Sequence, residues 1–291
     1  MSTVIRRTIL RAVLALPVAG LARAAAALDP LHALEALERR AGGRLGVAAW
    51  RRGGVGLLAW RGDERFPLCS TAKVMVAAAV LARAAREPNL LETRVRYAKA
   101  DLVSWSPITE GHADTGMTVA ELCAAALQHS DNGACNLLLD RLGGPSAVTA
   151  FARRIGDTAF RLDRRETELN TALPGDPRDT TTPRAMATTL ETLLLDEALA
   201  PDGRRQLRDW MLGNRTGGER IQAGFPAGWR VADKTGTGGY GTTNDVGVVF
   251  PPQGEPAILA IYYTGATPDA APASRVVADA AAIVARAFGA A

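Results

Sequence analysis

The feature that most limits the fold is where the chain puts its strands. Two alternating apolar segments, Leu45–Trp50 and Val55–Trp60, lie near the start; the turn residues Gly53-Gly54 between them predict a hairpin. Three more, Trp229–Thr235, Asp245–Phe250 and Ala257–Thr264, lie near the end. From Phe66 to about Met211 a helical period dominates instead. Helices are predicted over Thr71–Arg86, Thr118–Gln128, Asn132–Leu142, Ser146–Ile155, Pro183–Leu195 and Asp202–Leu212. The simplest arrangement closes both ends into one antiparallel sheet of five strands flanked by the terminal helices. The expected class is α/β with two domains: 29–61 with 213–291 around the sheet, and 62–212 as a mainly helical unit. A first helix opens at Asp29-Pro30, with Leu31, Leu34 and Leu37 on one face and Gly42-Gly43 as its stop. A last helix is expected over Ala273–Phe288. Between them, Arg161–Thr181 carries Pro174, Gly175 and Pro177 and shows no period, which at that length marks a functional loop.

The 291 residues are 47% hydrophobic and 22% charged, a globular balance that excludes wholesale disorder. The net charge of +4 points to nucleic acid only until its position is read. Arg6, Arg7, Arg11 and Arg23 all precede the first acidic residue, Asp29, and beyond them acidic and basic residues balance. No nucleic-acid partner is expected of so neutral a body. Residues 1–26 read as an export signal: a basic start, the apolar run Ala12–Ala22, and small residues for cleavage after Ala24 or Ala26. The run is too short for a bilayer of roughly 30 Å, and no later segment is long enough, so no membrane span is expected in the mature chain. Arg6-Arg7-Thr8-Ile9-Leu10-Arg11 also resembles a twin-arginine signal, although Ile5 stands where Ser or Thr is usual. By that route or by a Sec leader, the expected location is the periplasm.

Cys69, Cys123 and Cys135 are an odd set in an oxidising compartment, so at least one stays unpaired or pairs outside the chain. Their spacing fits no zinc motif, and His32, His112 and His129 form no ligand pair. Neither a metal nor a cofactor is expected.

The chain has only three lysines, Lys73, Lys99 and Lys234, among 34 basic residues. Lysine differs from arginine in losing its proton at accessible pH and in its compact ammonium, so positions that keep it invite a chemical reading. Ser70-Thr71-Ala72-Lys73 opens an apolar helix and puts an amine beside a hydroxyl on one helical face. A desolvated lysine can take the proton of such a serine, and the free N–H groups of a helix start favour a developing oxyanion. Read blandly, the same residues are a serine cap followed by a lysine. Lys234-Thr235-Gly236 ends a strand. Asp233 stands where a phosphate-binding loop requires glycine, and Gly236-x-Gly238-x-x-Gly241 leads into another strand, so a hairpin is the better reading. An ammonium beside a hydroxyl on a strand edge suits a carboxylate. Ser130-Asp131-Asn132 lies between two helices and, taken alone, reads as a helix cap.

In this order, Ser70-x-x-Lys73, Ser130-Asp131-Asn132 and Lys234-Thr235-Gly236 resemble the active-site set of serine β-lactamases and penicillin-binding proteins. Arg164-Arg165-Glu166-Thr167-Glu168-Leu169-Asn170 resembles the omega-loop signature of class A β-lactamases and falls in the aperiodic stretch, about 161–181. The resemblance spans essentially the whole mature chain. It implies hydrolysis of the β-lactam amide of penicillins and cephalosporins through a serine acyl-enzyme, giving antibiotic resistance, in a monomer. It implies Ser70 as nucleophile, Lys73 in proton transfer, Ser130 as proton donor to the lactam nitrogen, and Glu166 with Asn170 as activators of the deacylating water. Asn132 is implied to bind the acylamino side chain, and Lys234 with Thr235 the carboxylate. The backbone N–H groups of Ser70 and Thr237 are the implied oxyanion hole. Arg220 resembles an additional carboxylate-binding arginine, otherwise a surface charge. Trp105 resembles the aromatic residue at the pocket mouth, otherwise a half-buried packing residue. The resemblance also implies an Arg164–Asp179 ion pair at the loop neck and a cis Glu166-Thr167 peptide.

Several positions depart from the family. Position 165 is Arg where several relatives have Trp. Gly238 leaves Cys69 without the disulfide partner of some carbapenem-hydrolysing members, which lowers the expectation of strong carbapenem hydrolysis. Ala77 does the same for Cys123. The competing reading is a DD-peptidase or transpeptidase of cell-wall synthesis with the same nucleophile. A membrane-tethered β-lactam sensor lacks its span here, and a Ser-His-Asp hydrolase lacks its Gly-x-Ser-x-Gly elbow.

Overall fold

The structure is a computed structural model that describes residues 29–53 and 56–290. The expected leader, and Gly54 and Val55 of the first turn, lie outside the described residues. Helix α1 (Pro30–Ala41) leads into β1 (Arg44–Arg51) and β2 (Leu58–Trp60). A two-residue strand β3 (Phe66–Pro67) then precedes a tight turn over Cys69–Ala72 and α2 (Lys73–Ala84). A small ribbon, β4 (Arg94–Val95) with β5 (Met117–Thr118), leads to α3 (Val119–Gln128), α4 (Asn132–Leu142) and α5 (Pro145–Arg154). After the long loop come β6 (Thr180–Thr181), α6 (Pro183–Leu194), α7 (Pro201–Leu212) and the single turn α8 (Ile221–Gly224). The chain closes with β7 (Arg230–Thr237), β8 (Thr243–Phe250), β9 (Ala257–Thr264) and α9 (Ser274–Ala287).

The four eight-residue strands and the shorter β2 form one antiparallel sheet in the order β2-β1-β9-β8-β7. Residues on successive positions of a strand face opposite sides, and here both sides are covered. Ala48, Trp50, Ala260 and Tyr262 face the core of the helices α2–α7, while Leu45, Val47, Leu259 and Ile261 face the core under α1 and α9. That double burial explains why β9, and β8 from Val246 on, read as nearly continuous apolar runs.

Helix ends follow local capping chemistry. Asp29 Oδ1 accepts from the Leu31 N–H at 3.0 Å, and left-handed Gly42 ends α1. Thr118 and Glu121 form a reciprocal capping box on α3. Of Leu31, Leu34 and Leu37, expected on one face of α1, the first stays in solvent. Leu31 is 39% exposed, because the buried stripe of α1 runs through Leu34, Leu37 and Glu38 where the helix docks on α9 and β2. Glu38 is tolerated there because Arg61 Nε at 2.7 Å and the Leu45 N–H at 2.9 Å satisfy it. The strand expected from Val55 starts at Leu58, and the helix expected from Thr71 starts with the tight turn at Cys69 and ends at Ala84.

Two-residue strands too short to show a period matter for the site. β3 pairs with β6, Phe66 with Thr181 and Pro67 with Thr180, and the Leu68 N–H donates to the Asp179 carbonyl at 2.8 Å. The end of loop 161–181 is thereby tied to the segment just before Ser70. Among the described residues, no helix is long and apolar enough to cross a membrane.

Candidate active site

Ser70 sits in the tight turn that opens α2, and Lys73 is the first residue of α2, one turn on. The spacing of three puts Lys73 Nζ 2.7 Å from Ser70 Oγ. Lys73 is fully buried, and an ammonium is tolerated there only if its protons find acceptors. They find Asn132 Oδ1 at 2.7 Å, the Ser130 carbonyl at 3.1 Å and Glu166 Oε1 at 2.6 Å. Ser70 Oγ is 3.5 Å from the same Glu166 oxygen.

The junction between α3 and α4 supplies Ser130, Asp131 and Asn132. Asp131 is indeed the cap of α4, accepting from the Ala134 N–H at 2.8 Å. It also does more, because its buried carboxylate takes the N–H groups of Ile108 and Thr109 and the Thr109 hydroxyl, all within 2.9 Å. That knot holds the 103–112 segment, and with it Trp105, against the junction. Asn132 donates to the Ser104 carbonyl at 2.9 Å from the same segment. Ser130 Oγ lies between two ammonium groups, 3.1 Å from Lys234 Nζ and 3.5 Å from Lys73 Nζ. Both neighbours can only donate, so Ser130 accepts and its own proton stays free.

Glu166 arrives from loop 161–181 and is buried, with a cis peptide to Thr167. Asn170 Nδ2 donates to its Oε2 at 2.5 Å, and Asn170 Oδ1 is a buried acceptor with no protein partner. The sequence reading missed Asn136 of α4. Its amide accepts from the Glu166 N–H at 3.0 Å and donates to the Glu166 carbonyl at 2.8 Å, clamping that backbone from both sides. At the loop neck, Arg164 Nε meets Asp179 Oδ2 at 2.6 Å, and Asp179 Oδ1 also takes the N–H groups of Asp163 and Arg164.

Strand β7 forms the opposite wall. Lys234 follows the alternation of Ala232 toward the helices and is fully buried, donating to Ser130 Oγ and the Thr235 carbonyl. Burial, with Lys73 nearby, pulls its ammonium down to about 7, against the opposing pull of Asp233 and Asp245. Arg220, read either as a ligand-binding group or as a surface charge, is 8% exposed at the cleft wall. Its NH1 donates to the carbonyls of Gly236 and Asn244 at 2.8 Å, and NH2 to Thr237 Oγ1 at 2.7 Å. Burial lowers its guanidinium from the usual arginine range.

The eleven residues singled out in the sequence all come to this place. Ser70, Ser130, Asn132, Asn170, Thr235 and Thr237 line a cleft of about 390 Å³, with Arg220 on its wall. Trp105 stands at the mouth, 64% exposed, so half-buried packing does not describe it. Cys69, Trp105, Ser130 and Asp179 all hold non-glycine backbones at φ between 46° and 61°. Such conformations cost of order 1–3 kcal/mol each and gather where the surrounding fold enforces a functional geometry. A larger groove, about 770 Å³, lies where loop residues 172–177 meet β1 and β9, and contains none of the eleven. The three cysteines are free and buried. A Cβ at Gly238 would collide with the Asn170 carbonyl and Cys69 Sγ, so the glycine lets β7 close on the loop.

The comparisons with known proteins agree with this geometry. The Beta-lactamase enzyme family matches residues 30–288. A beta-lactamase of Citrobacter koseri is 55% identical over 251 residues, 86% of this chain and 85% of that protein. The crystal structure of the beta-lactamase from Desulfarculus baarsii DSM 2075 superposes with a TM-score of 0.89 at 56% identity, covering 91% of this chain and 100% of that one. A mutant of the last common ancestor of Gram-negative bacteria beta-lactamase class A gives 0.87 at 55% identity, over 90% and 99%. With Ser70, Lys73 and Glu166 brought together in one cleft, the chain belongs to the beta-lactamase enzyme family, in class A, and is a hydrolase of the β-lactam amide bond.

Proposed function

We propose that Ser70 is the nucleophile, with Lys73 and Glu166 as one proton-transfer unit. The observation that carries this is the contact of Lys73 Nζ with Ser70 Oγ at 2.7 Å and with Glu166 Oε1 at 2.6 Å in a buried site. Passing one ammonium proton to Glu166, or more slowly to solvent where that carboxylate is withdrawn or removed, leaves a neutral amine beside Ser70, which takes the hydroxyl proton as Oγ attacks the lactam carbonyl. The backbone N–H groups of Ser70 and Thr237 receive the oxyanion. Ser130 gives its free proton to the nitrogen as the ring C–N bond breaks and regains one from Lys73. Glu166 then returns its proton to Lys73 and, as a carboxylate, deprotonates the deacylating water. The unpartnered Asn170 Oδ1 supports a water position beside Glu166. The hydroxide attacks the ester, and Ser70 leaves with a proton from Lys73.

Lys234, Thr235, Thr237 and Arg220 bind the substrate carboxylate, Asn132 the acylamino chain, and Trp105 shields the mouth. In this reading Arg161–Thr181 is the omega loop, and the cleft lies along the seam between 62–212 and the sheet unit of 29–61 with 213–291. The substrates are penicillins and cephalosporins, and Gly238 opposite Cys69 argues against strong carbapenem hydrolysis. The protein acts as a periplasmic monomer exported behind residues 1–26. Ser70→Ala and Lys73→Ala tested on a chromogenic cephalosporin decide the matter: turnover within tenfold of wild type in either variant overturns it.

A further inference from the structure

The threonine hydroxyls on the carboxylate side of the cleft differ in which way their protons point. Thr216 Oγ1 lies 2.8 Å from Asn214 Oδ1 and 2.5 Å from Thr235 Oγ1. The Asn214 amide can sit only one way round. Its Nδ2 donates to the buried Asp233 carboxylate at 2.9 Å, while its Oδ1 accepts from the Thr216 N–H at 3.0 Å. Turning the amide over sets oxygen against carboxylate and NH₂ against N–H. Gln222 Nε2 also donates to Asp233 at 3.0 Å, which fixes Asp233 as an acceptor. Burial pushes up both carboxyls of the neighbouring pair, Asp233 and, further, Asp245. Gly217 leaves room for the arrangement, because a Cβ there would collide with Asp233.

Thr216 has one hydroxyl proton. If it pointed to Thr235, its oxygen would face Asn214 Oδ1 at 2.8 Å with no proton between two acceptors. The proton therefore points to Asn214, and Thr235 donates to Thr216. The chain runs one way, from Thr235 through Thr216 and Asn214 to Asp233. Thr237 is the opposite case. Its oxygen accepts from Arg220 NH2 at 2.7 Å, and arginine offers no lone pair, so its proton is free for the cleft.

We propose that Thr216 is a positioning residue that lowers affinity for the substrate carboxylate by holding the Thr235 proton inward, so that Thr237 is the hydroxyl ready to donate. This rests on the reading of Thr235 and Thr237 as carboxylate receptors. Before Thr235 can donate to a carboxylate, its bond to Thr216 must break and Thr216 must turn.

The test measures Kd for a penicillin and for its methyl ester on a Ser70→Ala background, where turnover does not interfere. Thr216→Val keeps the shape and the N–H to Asn214 but frees the Thr235 proton. Giving up one neutral hydrogen bond, about 1 kcal/mol, corresponds to a Kd for the acid about fivefold lower, with the ester unchanged. Thr216→Ser, which keeps the hydroxyl, restores the starting Kd. An unchanged or higher Kd for the acid in Thr216→Val overturns the proposal, as does an equal shift for acid and ester. Lys234→Ala separates the underlying reading: if it too fails to weaken the acid relative to the ester, the carboxylate site itself is misplaced.

Discussion

Asp179→Ala probes the neck of the loop that carries Glu166. Asp179 is 1% exposed and accepts three hydrogen bonds, from the N–H groups of Asp163 at 2.7 Å and Arg164 at 2.9 Å and from Arg164 Nε at 2.6 Å. Truncation strands two backbone donors and a guanidinium. Removing one partner of a buried ion pair costs about 3–5 kcal/mol. Arg164 keeps contacts with Thr171 at 3.0 Å and Asp176 at 3.8 Å, which places the cost near the lower end, about 3 kcal/mol. At 1.4 kcal/mol per tenfold, a loop closed by no more than that amount presents Glu166 correctly about a hundredfold less often. Deacylation bears most of this, because Lys73 keeps its bonds to Asn132 and Ser130 when Glu166 withdraws. Stopped-flow hydrolysis of a chromogenic cephalosporin should show a near-stoichiometric burst followed by a steady rate about a hundredfold below wild type, with acyl-enzyme visible by intact mass. Asp179→Asn tolerates the φ of 54° and keeps one oxygen acceptor, so it should fall between the two. Steady turnover of Asp179→Ala within threefold of wild type, with no acyl-enzyme, refutes the reasoning.

Glu166→Ala should trap the acyl-enzyme with a penicillin for at least minutes, measured by intact mass, because among the described residues Glu166 is the carboxylate bonded to Asn170; rapid regeneration of free enzyme contradicts its role. Asn136→Leu removes both bonds to the Glu166 backbone and strands two buried groups at about 1–3 kcal/mol each, so denaturant melts should lose about 2–6 kcal/mol; a loss below 1 kcal/mol means the clamp carries little. Lys234 sets an alkaline limb. Its ammonium, pulled down to about 7 in the fold against an ordinary 10.5, discharges as pH rises past 7, so kcat/KM for carboxylate-bearing lactams should fall there, and Lys234→Arg should flatten the fall. The stability effect has the opposite sign: between about 7 and 10.5 the unfolded chain holds the extra proton, so this residue's destabilisation is full below 7 and is relieved as pH rises, which pH-dependent melts of wild type against Lys234→Met can check.

What the sequence disclosed and what it hid divide by distance along the chain. Helix and strand limits came within about three residues of the mark because periodicity and caps are local; Asn132–Leu142 and Ala257–Thr264 coincide with their elements. The Ser70–Lys73 contact was legible for the same reason, since a spacing of three on one turn fixes it. Asn136 gave no such signal: its partner is thirty positions away, and an asparagine inside a helix reads only as a weak helix former. Asp131 looked like a cap and is one, yet the bonds that hold Trp105's segment reach back to Ile108 and Thr109, a relation no local pattern encodes. Thr216 and Asn214 lay beside a glycine pair that reads as a turn, and they acquire meaning only because β7 sets Asp233 and Thr235 on the side where α7 ends. Leu31 failed in the opposite direction: the helical wheel was right, but docking on α9 and β2 selected a narrower stripe than the wheel allowed. Ser70 and Lys73 were therefore written in short motifs, while the groups that hold Glu166, Trp105 and Thr235, namely Asn136, Asp131 and Asn214, are two buried amides and a buried carboxylate satisfied in large part by tertiary contact. Buried polar groups survive only where their partners are complete. In this site the same three groups that satisfy neighbouring backbone and side chains also fix where Glu166, Trp105 and Thr235 can point.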